Sequence, residues 1–175
     1  LIELIKEGKV KIMNLVLPKI GRDKSSLNFN IKDNYRDLET LAMNHHVNIM
    51  YIKAGEYIRE GSMNITCLHP EEGYAYSSAN AYSTVLSINY GEFDMLLTGD
   101  LELDGEKIIS NILTSNTYTY EGSVASKYDV LKVAHHGSKF SSSEEFLWLI
   151  QPEYSIISCG KGNRYGHPHE ELLER

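Results

Sequence analysis

Three apolar runs constrain this chain more than any other feature, because each leads into a short polar cluster that contains glycine. Leu96-Leu97 runs into Thr98-Gly99-Asp100. Val130-Leu131-Lys132-Val133-Ala134 runs into His135-His136-Gly137-Ser138. Ile156-Ile157-Ser158-Cys159-Gly160 is followed, after a loop, by Gly166-His167-Pro168. Short runs of this kind read as strands. Strand ends and the loops beyond them are where α/β proteins build their sites. Glycine beside each acid or imidazole permits sharp turns and close backbone approach.

The rest of the chain alternates in the same way. Residues 1–7 carry a helical face that stops at Gly8, and 10–17 read as a strand stopped by Pro18. Residues 21–26 are polar loop. Asp33 or Asn34 caps a helix with Leu38, Leu41 and Ala42 on its apolar stripe, and 47–52 follow as a strand. Residues 57–59 and 63–68 are strands about a turn, and 71–79 are a tyrosine-bearing loop over a site. Residues 84–90 and 93–98 make a hairpin about Gly91-Glu92, and 106–113 are helical. Ser142 and Glu145 have capping-box spacing, and Pro152 closes the helix they start. A strand at 154–159 follows, and Pro168 fits the first position of a last helix. No repeat, low-complexity stretch or internal boundary interrupts the pattern, so residues 1–175 read as a single α/β domain.

Composition narrows the functions available. With 42% hydrophobic and 23% charged residues the chain is an ordinary globular sequence. Its net charge of −7 argues against a broad basic face that grips duplex DNA by charge alone. A metal site supplies its own positive charge, so an enzyme acting on nucleic acid stays open. Cys67 and Cys159 are isolated, which argues against a cysteine zinc site. No stretch approaches the roughly 20 apolar residues of a membrane span. The chain opens on Leu1 inside a helical pattern, which reads as a piece of a longer protein.

A carboxylate with imidazoles suits zinc or manganese. Taken singly, Asp100 is more simply a turn or helix cap, and His167 a helix cap. His45 and His46 sit at the polar end of a helix and read as solvated. His69, before Pro70, is open between the two readings. The pair His135-His136 is harder to dismiss, since Gly137-Ser138 beside it offers backbone N–H groups to an anion.

Together these segments, with Asn163 and Tyr165, resemble the metallo-β-lactamase-like C-terminal domain of ComEC-type competence DNA-uptake proteins. The resemblance implies an αββα sandwich of mixed α and β structure. It implies a metal-dependent phosphodiester hydrolase, a DNA nuclease, holding two divalent metals (zinc or manganese). The role of metal ligand carries to Asp100, which would bridge the two, and to His167. Asn80 stands twenty residues before Asp100, where the superfamily usually has a histidine ligand, and is followed by Ser83. It is expected as a weak ligand or as a hydrogen-bonder behind the ligands. His135 and His136 are the expected catalytic pair, touching the phosphate or the leaving group, with a metal-ligand role for one of them as the alternative. Ser138, Lys139 and Ser83 are expected at the substrate, and Lys139, Lys161 and Arg164 are expected to gather near the phosphate.

The superfamily's HxHxDH motif is absent, and the chain reads as beginning after it. The fragment is therefore expected to hold at most a partial metal set, to be inactive, and to associate with itself through uncovered sheet. The partners implied are DNA or another phosphodiester and the membrane channel of a parent protein, with the domain on the extracytoplasmic face. The competing readings are a silent binding or assembly module of an uptake channel, and a stand-alone hydrolase of another phosphodiester.

Overall fold

The computed structural model describes residues 2–8, 10–20, 31–115 and 127–175. The polar loop expected at 21–26 lies outside them. The first helix, α1 (Ile2–Glu7), precedes a parallel pair made by β1 (Asn14–Pro18) and β2 (Asn48–Ile52), with α2 (Ile31–Asn44) as the crossover. The strand expected at 10–17 forms only in its second half, because pairing with β2 starts at Asn14↔Asn48. The helix starts at Ile31, so positions 33 and 34 fall within its first turn and not at its cap. Ala42, Leu15, Leu17 and Val47 form the small core of this unit, with Leu38 packed beside it.

The larger sheet has six strands in sequence order. They are β3 (Tyr57–Glu60), β4 (Met63–His69), β5 (Val85–Tyr90), β6 (Phe93–Leu97), β7 (Val130–Lys132) and β8 (Tyr154–Ile156). β3 to β6 run as an antiparallel meander. Its two-residue turns, Gly61-Ser62 and Gly91-Glu92, put glycine first, which suits the twist of a tight hairpin. β7 and β8 then continue the sheet in parallel with β6. A parallel step needs a crossover connection. The described helices in these two connections are α3 (Leu103–Ser115) and α4 (Glu144–Ile150), and the short α5 (Glu170–Leu173) follows β8. The result is the mixed α and β architecture with a mixed sheet that the resemblance implies.

Alternation along the strands decides which face is covered. Leu68, Val85, Leu96 and Leu131 are fully buried. They join Ile109 and Ile112 of α3, Phe146 and Ile150 of α4, and Leu172 of α5 in the main core. On the other parity Ile65, Leu86, Ile88, Met95, Leu97 and Val130 are only partly buried. The strand expected at 154–159 stops at Ile156, and its three residues are exposed at the sheet edge.

The start of α4 differs from the capping-box expectation. Ser142 lies one residue too early, at φ 50°, with its buried hydroxyl accepting from the Ala134 N–H. The N-cap is Ser143, whose Oγ accepts from the Phe146 N–H at 3.3 Å. The carboxylate that helps is not Glu145 but Glu106 of α3, which accepts from the N–H groups of Ser142 and Ser143. Ser143→Ala is therefore expected to cost about 1 kcal/mol. Urea unfolding would show it as a lower midpoint with an unchanged slope; an unchanged midpoint would move the cap elsewhere.

Candidate phosphodiester site

Parallel pairing of β6, β7 and β8 places their C-terminal ends side by side. The three clusters read from the sequence hang from those ends, so they meet. After β6 the chain turns through Gly99, at φ 54°. A Cβ there would lie 3.1 Å from the Ser83 Cβ, and the Asp100 N–H donates to the Ser83 Oγ at 3.0 Å. Ser83 thus holds the turn, and its hydroxyl is engaged with the backbone. The Lys132 ammonium at the end of β7 donates to the Gly99 carbonyl at 2.8 Å, and burial lowers its pKa, with Asp100 opposing.

After β7, His135 and His136 both adopt left-handed backbone, at φ 47° and 55°, and Gly137 follows at 84°. Such a run is costly for residues with a Cβ and occurs where surrounding contacts impose it. The His135 N–H is tied to the Gly99 carbonyl at 3.0 Å, which links this turn to the Asp100 turn. The rings leave in different directions. His135 Nδ1 lies 3.0 Å from Glu102 Oε2, and its Nε2 lies 3.4 Å from Asn80 Nδ2. His136 Nδ1 lies 2.6 Å from the Ser158 carbonyl, and its Nε2 faces Asp100 Oδ1 at 3.6 Å. His136 and Asp100 are nearly half exposed, at 48% and 41%, so a ligand from solvent can reach both.

After β8, the Asn163 side chain shapes the loop. It accepts from the Tyr165 and His167 N–H groups and donates to the Gly160 and His167 carbonyls. His167 is thereby set 5.4 Å from His135 and 6.3 Å from His136, ring centre to ring centre. Burial and the neighbouring imidazoles of His169, His135 and His136 lower its pKa, with Asp100 opposing. Pro168 precedes α5 and is not its first residue; His169 occupies the N-cap.

The structure thus brings Asp100, His135, His136, His167 and Asn80 into one cluster. Two expected substrate contacts are turned elsewhere. Ser138 is buried, its Oγ accepts from the Phe140 N–H, and its own N–H is spent on the His135 carbonyl. The Lys139 ammonium pairs with Glu171 at 3.2 Å. Arg164 lies over the Tyr165 ring, and that ring stacks on His167 at 5.7 Å. Lys161 is exposed in the same loop. Sequence reasoning missed Glu102, Lys132 and His169. The signals were present as an acid two residues after Asp100 and an imidazole two after His167, but nothing local marks which way such side chains turn. Among the described residues, no three His, Cys, Asp or Glu side chains are disposed to hold a metal ion.

A mixed-sheet domain with an imidazole–carboxylate cluster at the ends of its parallel strands is the class that the fold and site define. The chain is a homologue of the ComEC-type competence proteins. It is 36% identical over 171 residues to ComE operon protein 3 of Bacillus subtilis, covering 98% of this chain and 19% of that protein. It is 38% identical over 96 residues to Recombination protein 2 of Haemophilus influenzae and, over the same length, to Competence protein ComA of Neisseria gonorrhoeae. Those matches cover 55% of this chain and 11% and 13% of the relatives. The chain therefore spans about a fifth or less of the length of these relatives. No family model matches. Among solved structures, a mutant of CmlA beta-hydroxylase overlays with a TM-score of 0.44 at 11% identity, over 67% of this chain and 27% of that one.

Proposed function

We propose that this chain is the phosphodiester-handling portion of a metal-dependent nuclease domain in a competence DNA-uptake protein. The observation that carries the reading is the convergence of Asp100, His135, His136 and His167 at three neighbouring strand ends. Imidazoles that meet at an accessible carboxylate are suited to move protons at a phosphate ester and to orient it. DNA is the substrate suggested by the competence relatives. In the same reading the domain serves a membrane-embedded uptake machine from its outer face. Among the described residues no helix is long and apolar enough to cross a membrane.

The described side chains do not fit a metal pair by themselves. A catalytic zinc takes three protein ligands and water, and a dinuclear site takes more. No such group converges among them. The same observation favours a second reading, in which the cluster binds a DNA phosphodiester without cleaving it.

The polypeptide is expected to retain a single-stranded oligonucleotide at low salt, more weakly in His136→Ala and His167→Ala. It is expected not to cleave that oligonucleotide when zinc or manganese is added. Metal-dependent cleavage that disappears in Asp100→Ala would show that the metal site is complete in this chain. No retention at any salt concentration would remove the phosphodiester reading altogether.

A further inference from the structure

One contact network in the cluster is closed on itself and dictates more than position. The Glu102 side chain is only 12% exposed. Its Oε2 lies 3.0 Å from His135 Nδ1, and its Oε1 lies 3.3 Å from both Asn80 Nδ2 and Ser78 Oγ. The Asn80 amide also approaches His135 Nε2 at 3.4 Å. Asn80, Glu102 and His135 form a triangle, each touching the other two.

Donor and acceptor rules leave this triangle one arrangement. An ionised carboxylate only accepts, so His135 Nδ1 must carry the proton. Beside the same carboxylate, Asn80 must present its NH2, since its carbonyl would face oxygen. The NH2 group has two donors. One goes to Glu102, and the other points at His135 Nε2, which must then be the bare nitrogen. Both ring nitrogens specify the same tautomer, and both assignments trace to the Glu102 carboxylate.

We propose that Glu102 is a positioning residue that fixes His135 as the Nδ1–H tautomer and holds the Asn80 amide on its Nε2 lone pair, so that His135 presents no N–H to the cluster. This deepens the phosphodiester reading and rests on it for the identity of the ligand. A phosphate oxygen only accepts, so it finds no donor on His135, and a donor reaches Nε2 only by displacing the Asn80 amide. A carboxylate behind an imidazole is the arrangement that fixes tautomer and ring orientation in many sites. His136 is set differently. A backbone carbonyl lies behind it, and a carboxylate oxygen lies in front of its Nε2. The two adjacent histidines are therefore not interchangeable. Asn80, expected as a weak metal ligand or as a hydrogen-bonder behind the ligands, takes the second part and completes the triangle.

The test reads the tautomer itself and needs no turnover. The whole polypeptide is labelled with 15N-histidine and examined by two-bond 1H–15N correlation at pH 8, above the ordinary imidazole range. His135→Gln assigns the signal. In the wild type, His135 is expected to show a protonated Nδ1 and a bare Nε2. Glu102→Gln, which must turn an NH2 donor towards one of the two partners that the carboxylate accepts from, is expected to keep that pattern in only part of the molecules. Glu102→Ala is expected to lose it, with the N–H passing to Nε2 in most molecules while the His136 signals stay in place. Nε2–H on His135 in the wild type would overturn the proposal, as would an unchanged tautomer in a folded Glu102→Ala. If Glu102→Ala does not fold, the wild type still decides: an Nδ1–H with a bare Nε2 upholds the proposal, and a bare Nδ1 overturns it. Oligonucleotide retention is measured separately on the same samples. Its failure would remove the phosphodiester reading and leave the tautomer result standing, and the converse also holds.

Discussion

Gly137→Ala is expected to destabilise the protein by about 3 kcal/mol and to loosen the histidine cluster. Gly137 has φ 84°, and an added Cβ would stand 2.7 Å from the Pro168 Cβ and 3.0 Å from Leu172 Cδ2. Two costs combine. Left-handed backbone costs a residue with a Cβ roughly 1–2 kcal/mol. Overpacking a close contact adds about 1–3 kcal/mol. The Gly137 carbonyl also accepts from the His169 N–H at 2.9 Å, so this is where the His135-His136 turn seats on the segment carrying His167. Pushing that seat apart moves the imidazoles from one another. For a chain of this size the melting temperature should fall by about 6–12 °C. Gly162→Ala is the control, since Gly162 has φ 66° with nothing within 4 Å of the added Cβ. It should show the backbone cost alone, near 1 kcal/mol. Equal shifts for the two variants would mean that the close approach to Pro168 is not what limits position 137. Oligonucleotide retention should fall in Gly137→Ala more than in Gly162→Ala.

Acid should weaken the fold through His69. Its side chain is fully buried at the end of β4, with Nδ1 donating to the Ser83 carbonyl at 2.7 Å. Its Nε2 is buried without a hydrogen-bond partner among the described residues, beside the Tyr76 ring at 4.6 Å between centres. Burial lowers its pKa to about 4, against an ordinary 6.5, with the Ser83 carbonyl and Asp104 opposing. The folded state therefore binds the proton less well than the unfolded chain. Stability contributed by the neutral ring is fully present above about pH 6.5 and is lost as pH falls towards 4. The loss should reach about 2 kcal/mol at pH 5 and about 3 kcal/mol at pH 4. Since the Ser83 hydroxyl supports the Asp100 turn, the cluster should loosen with it. Urea unfolding of wild type and His69→Gln from pH 7 to 4 separates this group from the carboxylates. The wild type should lose about 3 kcal/mol more than the variant over that range. Parallel losses would place the acid sensitivity elsewhere.

Much of this site was legible before any coordinates. The three clusters are local signals: an apolar run sets a strand, and glycine with a polar residue after it sets a turn. Asp100, His135, His136 and His167 were all named from such signals, and all four meet. The hairpin about Gly91-Glu92 was legible for the same reason, since a two-residue turn and alternating flanks are contiguous in the chain. Boundaries were read less well. The strand taken to span 10–17 begins at Asn14, because strand limits depend on what the partner strand supplies. The capping-box spacing points to Ser142, whereas Ser143 is the cap, with Glu106 reaching in from another helix.

By itself the sequence marked Asp100, His135, His136 and His167 as candidates and set each beyond the end of a strand. Only the tertiary structure decided how those residues face one another. Parallel alignment of β6, β7 and β8 put the three ends on one side, and the path of the connections between strands sets that alignment. Glu102 became the partner of His135 across 33 positions, and Asn80 across 55. Ser138 and Lys139, close to the histidines in the chain, were turned to the Phe140 backbone N–H and to Glu171. The physical reason is common to all of these. Side-chain direction follows from backbone angles and packing that distant segments impose, whereas the tendency to form a strand or a turn is written within a few residues.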